Sequence, residues 1–183
     1  GTMALVTHNN GAATVVNDAG LNFAASTVGG ALSATATTGD IIDSGALVIT
    51  GLTTLAPGSS DDVILDHASN DFRGGLIITS GNDVRLVSAG AIDLGASTVA
   101  GNYRVTAGGD ITDSGVLAIT GTSTFTVADG RSITLDESST FSDTVTFAAS
   151  AGTIASVEIN DSNALDLKTL TTTGNLTVIA GGN

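Results

Sequence analysis

The 183-residue chain has no cysteine and no tryptophan, one proline, and only five phenylalanines and one tyrosine. Without cysteine there can be no disulfide, thiolate metal site or cysteine nucleophile. The compartment stays open, because a long repetitive array can bury its backbone without disulfide staples. So few rings cannot fill the wide core of a sandwich or barrel of this length. Basic residues are scarce too, 5 against 18 acidic ones, for a net charge of -13. Arg73, Arg85, Arg104, Arg131 and Lys168 are scattered, whereas binding a nucleic-acid backbone needs clustered cations, so a nucleic-acid partner is excluded. No apolar run approaches the roughly 18 residues of a membrane span, and the chain is not expected to be membrane-embedded. No basic stretch precedes an apolar one as in a signal peptide. Gly1-Thr2-Met3 has the look of a cloning remnant.

What the chain does have is Ala, Val, Ile, Leu, Ser, Thr and 24 glycines. With charged residues at 13%, this composition argues against disorder, which needs low hydrophobicity and high charge. Small and β-branched residues suit a narrow core between closely stacked strands.

The chain also repeats itself. GDIIDSGALVITGLTTLA (Gly39 to Ala56) returns without a gap as GDITDSGVLAITGTSTFT (Gly109 to Thr126), an offset of 70. LNFAASTV (Leu21 to Val28) returns as IDLGASTV (Ile92 to Val99), an offset of 71. Asp93-Leu94 returns as Asp166-Leu167, an offset of 73. Small insertions of this kind fit turns on the outside of an array. Residues 4–183 are therefore expected to form a single solenoid fragment of about two and a half 70-residue units, excised from a longer array.

Within a unit the signal is short strands. ALVIT, DVILD, GLIIT, DVRLV, AIDLG and NYRVT are separated mostly by Gly, Asn, Asp or Ser. Alternation is clear in Ile133 to Asp136 and Leu176 to Val178, and no window shows helical spacing. Short strands in a repeating sequence with Gly-rich corners favour a parallel β-solenoid, right-handed by the usual crossover preference. Three strands per coil gives about three coils per unit and roughly 20–25 residues per coil. About eight coils at roughly 4.8 Å each would make a rod about 40 Å long.

GDITDSGVLAITGTSTF, ILDHASNDFRGGLIIT, AIDLGASTVAGNYRVTAGGDI and LTTTGNLTVIAGG resemble repeats of the filamentous-haemagglutinin-like exoproteins, very large β-strand-repeat proteins of bacterial surfaces. The resemblance covers nearly the whole chain from about Gly11. It implies a right-handed parallel β-helix in the stalk of a secreted adhesin, exported by the two-partner route through an outer-membrane pore. It also implies an extracellular location and a host-surface protein or glycan as partner, engaged through other parts of the full-length protein. The chain lacks the family's N-terminal secretion domain.

Several residues invite a chemical reading. Asp40, Asp43, Ser44 and Gly45 recur as Asp110, Asp113, Ser114 and Gly115. Calcium would need six or more converging oxygens, and copies three coils, roughly 14 Å, apart cannot share an ion. These aspartates are instead expected to accept hydrogen bonds from turn N–H groups. Asp61, Asp62 and Asp66 beside His67 are expected on a solvated face, and His8 and His67 at the surface. Asn70, Asn82, Asn102 and Asn175 are candidates for amide ladders along the rod. Thr120, Thr122, Thr124 and Thr126 would share one side of a strand, as in ice-binding solenoids, but the first unit breaks the row with Leu52 and Ala56. A polysaccharide-cleaving β-helix needs several carboxylates with an acid or base partner on one face, and Arg85 and Arg104 have no basic counterparts in the next unit. A glycan-binding module would want an aromatic platform, for which Tyr103 is the one tyrosine. Arg73-Gly74-Gly75 only approaches an Arg-Gly-Asp sequence. No catalytic, cofactor-binding or metal residue and no cofactor is assigned, and the expected species is a monomeric, non-catalytic structural segment.

Overall fold

The computed structural model describes residues 1–182. Among them are 21 strands and no helix, and every strand pairing is parallel. The chain forms a right-handed parallel β-helix of about eight coils. Bonds from a side chain in one coil to a backbone N–H in the next span 19 to 24 residues, as the sequence spacing predicts.

Each coil has one straight side, a single strand of four or five residues, and one bent side, two shorter strands around a corner. At the N-terminal end β1 (Ala13–Asn17) is the straight side. The next coil bends through β2 (Leu21–Phe23) and β3 (Ser26–Val28) and straightens in β4 (Leu32–Ala36). The pattern recurs in β5 (Ile41–Asp43), β6 (Leu47–Ile49) and β7 (Thr53–Ala56), then in β8 (Val63–Leu65), β9 (Asp71–Phe72) and β10 (Gly75–Ile78). Period-two alternation gives each strand an inner row and an outer row. Leu21, Ile41, Val63 and Val84 thus stack into one buried column.

Then the pattern slips. After β10 comes a second straight strand in succession, β11 (Val84–Ser88), which lies on β8 of the bent side. The next short strands, β12 (Ile92–Leu94) and β13 (Ser97–Val99), come to lie against the former straight side, with β12 paired to β10. From here β14 (Tyr103–Ala107) follows β11 as the straight side, and β15 (Ile111–Asp113) and β16 (Leu117–Ile119) follow β12 and β13 as the bent one. β17 (Ser123–Val127) and β19 (Val145–Ala149) continue the straight side, and β18 (Ile133–Phe141) covers both arms of the bend. A second slip follows at β20 (Val157–Asp161), five residues long on β18, and β21 (Leu176–Ala180) pairs with it.

A unit therefore holds three coils and part of a fourth, in keeping with the roughly three expected from strand counting. Ile92 is equivalent to Leu21 in sequence, yet it stacks on Ile111 in the other large sheet. Successive units present equivalent residues on alternate sides of the rod.

The interior is one continuous cluster of Ile, Leu, Val and Phe. Four of the six rings gather in the second unit. Tyr103 meets Phe125 edge-on at 5.9 Å, and Phe125 also touches Phe141 edge-on at 6.2 Å and stacks on Phe147 at 5.7 Å.

Candidate functional site

At the corner that opens the β2–β5–β8–β11–β14–β17 sheet, side chains form a rung from each coil to the next. The Asp62 N–H donates to Asp40 Oδ1 at 2.8 Å, and the Asp83 N–H to Asp62 Oδ1 at 2.9 Å. The Asn102 N–H donates to Asp83 Oδ1 at 2.7 Å, and the Thr122 hydroxyl to Asn102 Oδ1 at 2.7 Å. A corner leaves an N–H that no strand accepts, and a short acceptor side chain below it satisfies that donor. The expected role of Asp40 is what the structure shows, except that the N–H belongs to the next coil. Asp110 does the same for the Ser132 N–H at 2.9 Å, on the other large sheet.

The expected amide ladder is thereby corrected. Asn82 and Asn102 share this corner, but their amides donate to Asp62 at 3.0 Å and Asp83 at 3.2 Å, not to each other. Asn70 is fully buried at the bend, where its Oδ1 accepts from the Leu47 N–H at 2.7 Å and its Nδ2 donates to Asp43. The Asn175 N–H donates to Ser156 Oγ, away from both. Aspartate and asparagine share one ladder because each offers an acceptor two bonds beyond Cβ, and Thr122 closes it as a donor.

At the bends a second set of acceptors is buried. Ser26, Ser97 and Ser139 take the N–H of Leu5, Ile78 and Leu117 in the coil below, as Asn70 does for Leu47. Nothing in the hydrophobic pattern marks these serines, although their two-residue spacing from the next buried apolar residue could have.

Asp43 and Asp113 are the same residue of the repeat in different circumstances. Asp43 accepts from the Asp66 and His67 N–H groups and from the Asn70 amide. Asp113 accepts from the Asp136 N–H at 3.0 Å, but its other oxygen is buried without a partner. Burial pushes its carboxyl up to about 7, the backbone N–H groups of Glu137 and Asp136 oppose the shift, and the Asp136 charge adds to it.

Other expectations fall out as follows. Val63 and Leu65 point inward, leaving Ile64 and Asp66 outside as alternation requires. Asp66 pairs with Arg85 at 3.2 Å. His8 is exposed; His67 is half-buried, and its Nδ1 accepts from the Ser69 N–H. Thr120 lies before the Gly121 corner, so it does not share a strand face with Thr124 and Thr126, and the threonine row is shorter than expected. Tyr103 is completely buried with its hydroxyl unpartnered. It cannot serve as a glycan platform. Met3 stacks on Phe23 as part of the first coil. Among the described residues, no three His, Cys, Asp or Glu side chains converge as a metal cage, and no helix is long and apolar enough to cross a membrane.

Two surface grooves follow from this architecture. One, of about 450 Å³, opens at the slip between units, lined by Asp71, Phe72, Arg73, Ile92, Asp93 and Asp110. Its Arg73 is engaged by Asp71 at 2.7 Å and its Asp93 by the Ser114 hydroxyl at 2.8 Å. The other, of about 260 Å³, lies along the ladder and is lined by Asp62, Ile64, Asp83, Arg85, Asn102 and Arg104.

No curated protein and no solved structure matches the chain. A family model matches it three times in succession, over residues 10–79, 81–148 and 150–183. Because those matches take in most of its length, the chain belongs to the family described as repeats of unknown function (DUF5649).

Proposed function

We propose that this β-solenoid is a non-catalytic stalk segment of a large secreted bacterial adhesin, lying outside the cell and projecting a distal binding region from its surface. The observation that carries this reading is the ladder itself. Parallel pairing runs from β1 to β21, and side-chain rungs reinforce the corners, so each coil is held by both neighbours. Stability in such an array is a sum of coil and interface terms, which makes length cheap to add and stiffness inherent. An acidic exterior keeps rods apart and discourages edge pairing. The resemblance to filamentous-haemagglutinin-like repeats adds the secreted, adhesive context.

The test is made in the bacterium that carries the parent gene. An epitope placed in an exposed turn such as Ser59-Ser60 should be reached by antibody on intact cells. Removal of the repeats with the distal region kept should reduce adhesion. An epitope detectable only after lysis, or adhesion indifferent to the repeats, overturns the proposal.

A further inference from the structure

The groove along the ladder holds an unusual pairing of charges. Arg85 and Arg104 occupy register-matched outer positions on β11 and β14, so their side chains leave the sheet from adjacent coils, roughly 4.8 Å apart. Like charges directly across a strand pair are destabilising. In a chain with 18 acidic residues, both could have been neutralised. Asp66 takes Arg85, whose side chain stays 57% exposed. Arg104 is exposed and has no ion pair among the described residues.

We infer that this groove is a binding site for a carboxylate-bearing sugar, with the ligand carboxylate bridging Arg104 and Arg85. Guanidinium groups recognise carboxylates in a planar, two-bonded geometry. Beside them Asp62 and Asp83 each use Oδ1 for the ladder, and Oδ2 of each accepts nothing among the described residues. Those oxygens can take hydrogen bonds only from a donor, and a sugar ring supplies hydroxyl donors next to its carboxylate. An acidic peptide would instead set further acceptors against two aspartates. Ile64, below Arg85 in the same outer column, gives the ring an apolar contact. No aromatic platform is needed, so the buried Tyr103 is no obstacle. The site goes beyond the stalk reading and stands or falls separately from it.

Backbone NMR of the intact chain, titrated with digalacturonate, its methyl ester, acetate and sulfate, tests the inference. Digalacturonate should shift the amides of Arg85, Asn102 and Arg104 saturably, the neutral ester much less. Arg104→Gln, an exposed change, should weaken binding about tenfold or more, given the strength of charge-assisted pairs. Arg73→Gln, in the other groove, should leave binding unchanged. Circular dichroism confirms that both variants keep the β fold. No saturable shift, an equal response to acetate or sulfate (an adventitious ion only), or unchanged binding by Arg104→Gln overturns it.

Discussion

Asp113 shows how one residue of a repeat changes character with its neighbours. Its counterpart Asp43 has an amide donor from Asn70; the matching bend of the next unit carries Ser139, whose hydroxyl serves the Leu117 N–H instead. Burial raises the Asp113 carboxyl to about 7 from 3.8. A carboxyl raised by folding favours the neutral form, so the fold loses stability as pH climbs from about 4 to about 7 and is constant above. Asp113→Asn should therefore stabilise the protein at pH 8 by about 1–3 kcal/mol, because the amide has no charge to bury, a gain reduced by solvent screening at this half-buried position. Below pH 4 the gain should vanish, and denaturant melts at the two pH values check it. Tyr103 makes a related case inside the core. Tyr103→Phe keeps the edge-on contact with Phe125 and removes the orphaned hydroxyl, so it should raise the melting temperature. Phe125→Ala, at the centre of the ring cluster, should cost about 3–5 kcal/mol.

Strands, corners and their order were readable to different depths. Short parallel strands and Gly-rich corners were legible because alternation and turn residues report local geometry directly. The acceptor role of Asp40 was legible for the same reason. The slip was not. DVRLV around β11 looks like any other strand, and only its succession to β10, straight side after straight side, shifts the array. The amide ladder failed as an expectation because four asparagines look alike in sequence, whereas Asn70 and Asn175 lie away from the corner that Asn82 and Asn102 share, and there each amide finds an aspartate. Glycines at the bends repay closer attention. An added Cβ on Gly45 or Gly115 would overlap the backbone nitrogen of Ala25 or Ala96 in the coil below. Gly90 is different, its nearest neighbour being Asp71 Oδ1 at 3.4 Å. Gly45→Ala and Gly115→Ala should each cost about 1–3 kcal/mol, the usual penalty of overpacking. Gly90→Ala should be close to neutral. Equal melting temperatures for all three would show that the bends are looser than the stacking implies.

At the scale of the rod, the slip makes the unit and the coil incommensurate. Each unit carries the chain partly round, so a feature repeated in sequence alternates between the two large sheets, as Asp40 and Asp110 do. This divides the acidic corners between two sides of the rod, so the run from Asp40 to Asp83 is not continued on the same side by Asp110. It also makes a sharp statement about deletions. Removing Gly39 to Gly108 joins Thr38 to Gly109, a residue equivalent to the one lost, and takes out one whole unit. β15 would then stack on β2 where β5 does now, with inner residues of matching size: Ile111 in place of Ile41. The shortened protein should keep a parallel-β circular dichroism spectrum and cooperative melting. Its length by small-angle scattering should fall by about 17 Å, the rise of three to four coils at roughly 4.8 Å each. A deletion extended into β15, Gly39 to Thr112, should abolish cooperative folding, because it takes out Ile111 and Thr112 and leaves too little chain to carry the coil from β4 to the bend. If both deletions fold equally well, coil length is not what holds the coils together; if neither does, the unit is not the element from which the rod is assembled.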